Sequence, residues 1–369
     1  MKILLTGAGG FIGRNFAKII SESDGLEVLT YHKEMGLGKL EALAMECDVV
    51  VHLAGVNRPI REAEFDQGNV GFTSHLVSCL EKRELACPVL FSSSIQAGLD
   101  NPYGRSKLRA EELLRGYAEA RHTEVYIFRL PNVFGKWCRP NYNSVVATFC
   151  YNIARGLPIR VDDPSRELQL VYIDDVVRAF LEALQGHSHP DCGFYKVLKS
   201  YTYTVGALAE RINDFFACRQ TLSVPDMNEE FTAKLYSTYL SYLPEAGFRY
   251  RLQSHTDVRG SFTEFMRTAG QGQFSVNISK PRIVKGGHWH ESKHEKFLVV
   301  SGEGVIRLRR IDSSKVLSYH VSGQKLEVVE IPPGYTHEIE NIGDTDMVTL
   351  MWVNENFNPE RPDTYRMEV

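Results

Sequence analysis

Three groups of residues in this 369-residue chain have the types and spacing to do chemistry. The first is Thr6-Gly7-Ala8-Gly9-Gly10-Phe11-Ile12-Gly13, which follows a short apolar run and opens a helically spaced segment. Glycines at 7, 10 and 13 in that setting permit a tight turn and close approach of the backbone to a pyrophosphate. They also let a helix pack against its strand with its first amides facing the anion. In the second group, Tyr103 and Lys107 lie four apart and share a helix face. An ammonium there favours the phenolate, so the tyrosine can exchange a proton near neutral pH while Ser94 holds a substrate oxygen during hydride transfer. The third group is C-terminal. His288 and His290 are two apart and face one way on a strand, with Glu295 and His337 as further donors. Three imidazoles and a carboxylate suit zinc, iron, manganese or nickel, and a hydrated, histidine-rich edge strand fits the same residues.

Cofactor choice is written at the end of the second apolar run, Tyr31-His32-Lys33. An acidic residue at that place accepts from the adenosine ribose, whereas a cation pairs with a 2′-phosphate. His32 and Lys33 therefore predict NADPH rather than NADH, with Arg14 as an additional candidate; the alternative is a solvated loop.

The elements that must position these groups are legible as runs. Residues 2–6, 26–31, 48–53, 88–92 and 124–129 are β-rich, and stretches such as 71–83 and 105–120 have helical spacing. Alternation of this kind predicts an α/β, Rossmann-type doubly wound parallel sheet. Near 243–251 the character changes to short β-rich segments at 274–278, 282–285, 296–300, 304–310, 316–321 and 326–331, punctuated by glycine and proline. That pattern predicts an all-β C-terminal domain. The expected division is 1–246 and 247–369.

Composition narrows the class. The chain is 43% apolar and 24% charged, with a net charge of −4 and no basic tail, which argues against disorder and against a nucleic-acid partner. No apolar run approaches the roughly 18 residues of a membrane span, and the first residues are expected to form a strand rather than a leader peptide. All seven cysteines precede residue 219, irregularly spaced and without a C-x-x-C, the pattern of free thiols in a reducing cytoplasm.

Residues 1 to about 243 resemble the extended short-chain dehydrogenase/reductases that act on nucleotide sugars. The matching pieces are TGAGGFIG (6–13), HLAG (52–55), Asn69 with Thr73, SSS (92–94), NPYGRSKLRAEE (101–112), RLPNVFG (129–135) and VYIDDV (171–176). The resemblance implies Tyr103 as acid/base, Lys107 as its modulator and Ser94 as the third member. It also implies cofactor contacts from Gly7, Gly10, Phe11, Ile12, Gly13, Leu53, Ala54, Gly55, Tyr103 and Lys107, and places Asn132 near a substrate diphosphate. Two departures stand out. Only about 46 residues separate Gly7 from Leu53, so a strand–helix unit is shortened. The arginine expected six residues before the first Asp of VYIDDV is Leu168, leaving Arg166 as the cation for the diphosphate.

Residues 252–369 resemble cupins through H-x-H-x4-E-x6-G (288–302) and P-x-G-x2-H-x3-N (332–341). That likeness implies His288, His290, Glu295 and His337 as metal ligands, although Arg282 stands where a glycine is usual. Asp257–Glu264 and Val284–His288 are further similar to the cupin-fold deoxysugar epimerases, in which the residue at His288 is a base and no metal is needed. One imidazole nitrogen cannot do both, and the complete donor set favours the metal, leaving His294 and Lys296 as hypothetical proton carriers. The whole chain resembles the bifunctional epimerase–reductases of bacterial capsular polysaccharide synthesis, on the route to UDP-N-acetyl-L-fucosamine. The resemblance implies zinc, NADPH, a UDP-activated deoxy amino sugar and a homodimer, with C3 epimerised in the cupin and the 4-ketone then reduced to the L-talose product. The rival expectation is a nucleotide-sugar 4-epimerase or dehydratase with tightly bound NAD, whose cupin only dimerises.

Overall fold

The computed structural model describes residues 1–268 and 270–369. It divides into two compact units, residues 1–213 with 234–244, and residues 214–233 with 245–369. The sequence reading placed one cut, at 246/247; the compact units instead interleave along the chain.

The first unit is built on five parallel strands, β1 (Lys2–Thr6), β2 (Glu27–Tyr31), β3 (Val49–His52), β4 (Val89–Ser94) and β5 (Val125–Leu130), in the order β2-β1-β3-β4-β5. Alternate side chains leave opposite faces. Ile3, Leu5, Val51 and Leu90 pack against Phe16, Val176 and Phe180 on one side. Leu4, Val50 and Phe91 pack against Leu76, Leu80 and Leu114 on the other. Burial on both faces is why these strands read as unbroken apolar runs. A single helix, Leu37–Glu46, carries the chain from β2 to β3, so β2 is the sheet's edge and the shortened crossover is real. The helix predicted over 105–120 spans Pro102–Arg121. It starts early because the Asn101 carboxamide accepts from the Gly104 amide at 2.8 Å and Pro102 occupies the first turn. Among the described residues no helix is long and apolar enough to cross a membrane, and all seven cysteines are free.

The second unit pairs two mainly antiparallel sheets. One runs in the order Ser254–Asp257, Gly260–Thr268, Gly272–Ser279, Met347–Val353, Glu295–Ser301, Val328–Ile331, with Ser223–Val224 also beside Gly260–Thr268. The other runs Val316–Ser322, Glu303–Arg310, Tyr335–Asn341, Val284–Trp289, Tyr365–Arg366. Phe297 and Val299 of the first sheet meet Ile306, Leu308 and Ile339 of the second in one core. The period of two holds from His337 onward: His337, Ile339 and Asn341 are buried, while Glu338 and Glu340 point away and share Arg307 at 2.9 and 2.6 Å. Sequence runs missed the strands Ser254–Asp257, Gly260–Thr268 and Tyr335–Asn341, which are rich in polar residues, and also Met347–Val353, which is apolar but for Thr349.

Candidate functional site

The glycine turn leaves β1 with Gly7 at φ +73, and a Cβ there would sit 2.6 Å from the Ala54 amide nitrogen. Leu53 and Ala54 thus touch the turn directly. A Cβ on Gly13 would lie 2.2 Å from the Gly7 carbonyl oxygen, so helix Phe11–Ser21 enters as closely as the backbone allows. That helix has no side-chain cap at Gly10, and the amides around Phe11 and Ile12 remain open to an anion. Below the turn, buried His52 links Thr6 Oγ1 at 2.8 Å to Thr73 Oγ1 at 2.9 Å, and burial pushes its imidazole down to about 3. Asn69 clamps the following loop: it accepts from the Val56 amide at 2.7 Å and donates to Ser106 Oγ at 2.8 Å.

His32 and Arg14 line a cavity of about 380 Å³ beside the turn, together with Lys18, Thr30 and Trp137. Arg14 is tied to the Trp137 carbonyl. Lys33 is not in that lining; it begins a short 3₁₀ turn, Lys33–Met35.

Ser94, Tyr103 and Lys107 come together where β4 ends and helix Pro102–Arg121 begins. Ser94 accepts from the Gln96 amide at 3.2 Å and is buried. The Lys107 ammonium, 5% exposed, donates to the Ser92 carbonyl at 2.7 Å and lies 4.2 Å above the Phe91 ring. Burial pushes its amine down to about 7, against the opposing pull of Glu111. Burial raises the Tyr103 phenol, and the nearby Ser94 hydroxyl partly counteracts it. Burial thus dominates the phenol, and the Lys107 ammonium makes its hydrogen bond to the Ser92 carbonyl. One turn further, Glu111 accepts three bonds from Arg129, at 3.0, 3.3 and 2.7 Å, and one from Ser93. Sequence reading missed this buried group, although K-x-x-x-E on one helix face was a usable signal.

Asn132 donates to the Gln169 carbonyl at 3.1 Å and sits opposite Leu170 of the strand Glu167–Tyr172, which Arg166 immediately precedes. Asp174 and Asp175 are structural, held by Lys136 at 2.6 Å and Lys234 at 2.5 Å.

In the second unit His288, His290, Glu295 and His337 do converge, with one ligand atom from each lying within 4.8 Å of all the others. A bulge between Gly286 and His288 sets His288 directly opposite His337, and their ring centroids are 4.5 Å apart. His290 Nε2 and His337 Nε2 lie 3.7 and 3.1 Å from Glu295 Oε2. All three atoms are buried without a hydrogen bond of normal geometry. Three buried atoms without partners, from His290, Glu295 and His337, with a His288 ligand atom within 4.8 Å of them, are what a divalent cation satisfies, and the set fits a metal. Burial pushes His288 down to about 4, and Glu295 is held near 2 because its neighbouring imidazoles outweigh desolvation.

Beside them lies a cavity of about 390 Å³ lined also by Lys285, Asp257, Arg259 and Asn277. His294 and Lys296 are outside it. Strand alternation turns Lys296 outward to Glu330 at 2.6 Å, and His294 packs against Trp352. The amine that does enter is Lys285, which donates to Asn277 Oδ1 and the Ile278 carbonyl at 2.8 Å each. Burial lowers its pKa, with Asp257 acting against that.

Residues 3–194 match the NAD dependent epimerase/dehydratase family, and residues 255–365 match the polysaccharide biosynthesis C-terminal domain. The chain belongs to the NAD-dependent epimerase/dehydratase family, whose members bind NAD(P). Over its whole length it is 46% identical to the UDP-2-acetamido-2,6-beta-L-arabino-hexul-4-ose reductase of Pseudomonas aeruginosa, covering 99% of that relative. It also matches crystal structures of the capsular polysaccharide assembling protein CapF, one from Staphylococcus aureus with a TM-score of 0.94 at 50% identity and another with the inhibitor 3-isopropenyl-tropolone at 0.91 and 46%, each covering 100% of both chains. It is also 26% identical over 127 residues to the spore coat polysaccharide biosynthesis protein SpsL of Bacillus subtilis, covering 32% of this chain and 84% of that protein.

Proposed function

We propose that the chain is a bifunctional nucleotide-sugar enzyme. Residues 247–369 epimerise C3 of a UDP-2-acetamido-2,6-dideoxy-4-ketohexose, and residues 1–246 reduce the 4-ketone to give UDP-2-acetamido-2,6-dideoxy-L-talose. The observation that carries the reading is a complete Ser94–Tyr103–Lys107 set and a complete four-donor set on one chain, in a full-length relative of a 4-ketose reductase.

In the first site the glycine turn would hold NADPH, which when bound supplies the hydride, with Arg14 as the cation and His32 as a further polar group for its 2′-phosphate. Ser94 holds the C4 oxygen, and the Tyr103 hydroxyl delivers the proton that turns it into the alcohol. The buried Lys107 ammonium stabilises the tyrosinate left behind. In the second site, His288, His290, Glu295 and His337 hold zinc, which when bound supplies Lewis acidity toward a carbonyl oxygen. The 4-ketone acidifies the C3 proton, and Lys285, a partly buried amine inside the cavity, is the proton carrier of the chain itself. Reduction then removes the ketone and fixes the new configuration. A cytoplasmic setting and a homodimer complete the reading, the latter checked by sedimentation.

The deciding experiment incubates the full chain with a UDP-4-keto sugar in D₂O, with and without NADPH, and follows the product by NMR. Deuterium at C3 without NADPH, and an L-talose configuration with it, are expected. Reduction without any C3 exchange refutes the division of labour.

A further inference from the structure

The His290 imidazole is held from behind by a segment far away in sequence. Its Nδ1 donates to the Asp363 carbonyl oxygen at 2.6 Å, across 73 residues of chain. That bond leaves Nε2 bare and on the side of Glu295. The Asp363 carboxylate does a second job. Oδ1 accepts from the Glu291 amide at 2.8 Å, and Oδ2 accepts from the amides of Ser292 and Lys293 at 3.0 Å each and from Ser292 Oγ at 2.9 Å. These donors form the turn that joins His290 to Glu295, one ligand to the next. Asp363 reaches both partners from a left-handed backbone, φ 38, which aspartate tolerates better than most residues.

The rest of the segment is fastened as well. Tyr365 stacks on Trp289 with ring centroids 4.9 Å apart and pairs with it in register, and the Met367 amide donates to the Gly287 carbonyl at 3.0 Å. The Lys293 ammonium closes the other end on the Pro362 carbonyl. Residues 362–367 therefore lie as a strap along the strand that carries His288.

We propose that this strap is the outer shell of the metal centre and that Asp363 is its positioning residue. The carbonyl sets the tautomer of His290, and the carboxylate sets the turn that fixes the His290-to-Glu295 spacing. The inference rests on the reading of His288, His290, Glu295 and His337 as ligands. A ligating histidine needs a partner on its other nitrogen to fix ring orientation, and losing such support costs about 10–100-fold in metal affinity. In Asp363→Ala the carbonyl remains but its anchorage to three amides is gone.

The test uses the full chain stripped of metal and titrated with cobalt(II), read by the d–d absorption bands, with zinc competition against a chelator. Wild type is expected to take up one cobalt per chain with tetrahedral-type bands. Asp363→Ala is expected to bind about 10–100-fold more weakly with an altered band envelope. Asp363→Asn keeps an oxygen acceptor for the turn and should recover part of both, including where the alanine variant fails to fold. Wild-type affinity and bands in Asp363→Ala, or no loss in either variant, overturn the inference while leaving the ligand set standing. A wild-type chain that takes up no cobalt overturns the ligand set and the inference together.

Discussion

Glu111 is the place where one substitution should move both stability and the reductase pH profile. Its carboxylate is 2% exposed and held bidentately by Arg129, itself 27% exposed, with Ser93 donating to the same oxygen that Arg129 Nε reaches. Removing one partner of a buried ion pair costs about 3–5 kcal/mol. Water reaches Arg129, and glutamine keeps the size and one acceptor, so Glu111→Gln should cost less than that range, about 2 kcal/mol. For a unit of this size that is a fall of about 4–8 °C in the melting midpoint. Arg129→Met strands a buried carboxylate and should cost more. The double variant should lose at least about 1 kcal/mol less than the sum of the singles, because the two side chains act as a pair. The second readout is catalytic. Burial lowers the Lys107 amine to about 7 and Glu111 opposes the shift. Without that negative charge the amine loses its proton at still lower pH. The basic limb of kcat/KM for ketone reduction should therefore move to lower pH in Glu111→Gln. Additive single costs together with an unmoved limb refute the account of Glu111.

Five other substitutions probe the remaining assignments. Tyr103→Phe should abolish NADPH oxidation and leave C3 deuterium exchange intact; loss of both breaks the separation of sites. His290→Ala should lose bound zinc by elemental analysis, and unchanged metal content removes it from the ligand set. Arg14→Glu should raise KM for NADPH at least tenfold more than KM for NADH, since Arg14 lines the cavity beside the glycine turn and Lys33 does not. Lys33→Glu should then have the smaller effect, and the reverse ranking would return the selectivity to Lys33. Lys285→Met should abolish C3 exchange while zinc stays bound; retained exchange assigns the proton to another group.

Much of both sites was legible because their chemistry is local. Gly7 and Gly13 are required by backbone contacts under 3 Å, and such requirements leave glycines at fixed spacing. Tyr103 and Lys107 share a helix face, and His288 and Glu295 lie on adjoining segments. What stayed hidden depends on direction or distance. Lys296 neighbours Glu295 in sequence, yet the pleat turns it outward, and Lys285 enters the cavity only because the bulge at Gly286 resets the alternation. Asp363 left no sequence signal, because its contact to His290 is made by a backbone carbonyl that any residue carries. Arg282 shows the opposite case. It stands where a glycine was expected and does take φ +64, with its guanidinium fastened to the Ile342 carbonyl at 2.6 Å and to Asp344 at 2.8 Å.

The interleaving of the two compact units has a genetic consequence. The chain passes between them at 213/214, 233/234 and 244/245. A single start or stop codon placed anywhere in that stretch truncates one unit or the other; a fragment beginning at residue 247 lacks Ser223–Val224, which pair with Arg267 and Thr268. The halves of this gene are thus not interchangeable cassettes. A recombination that swaps the reductase for another must carry residues 214–233 across intact, or deliver a β domain missing the strand along one border of its sheet.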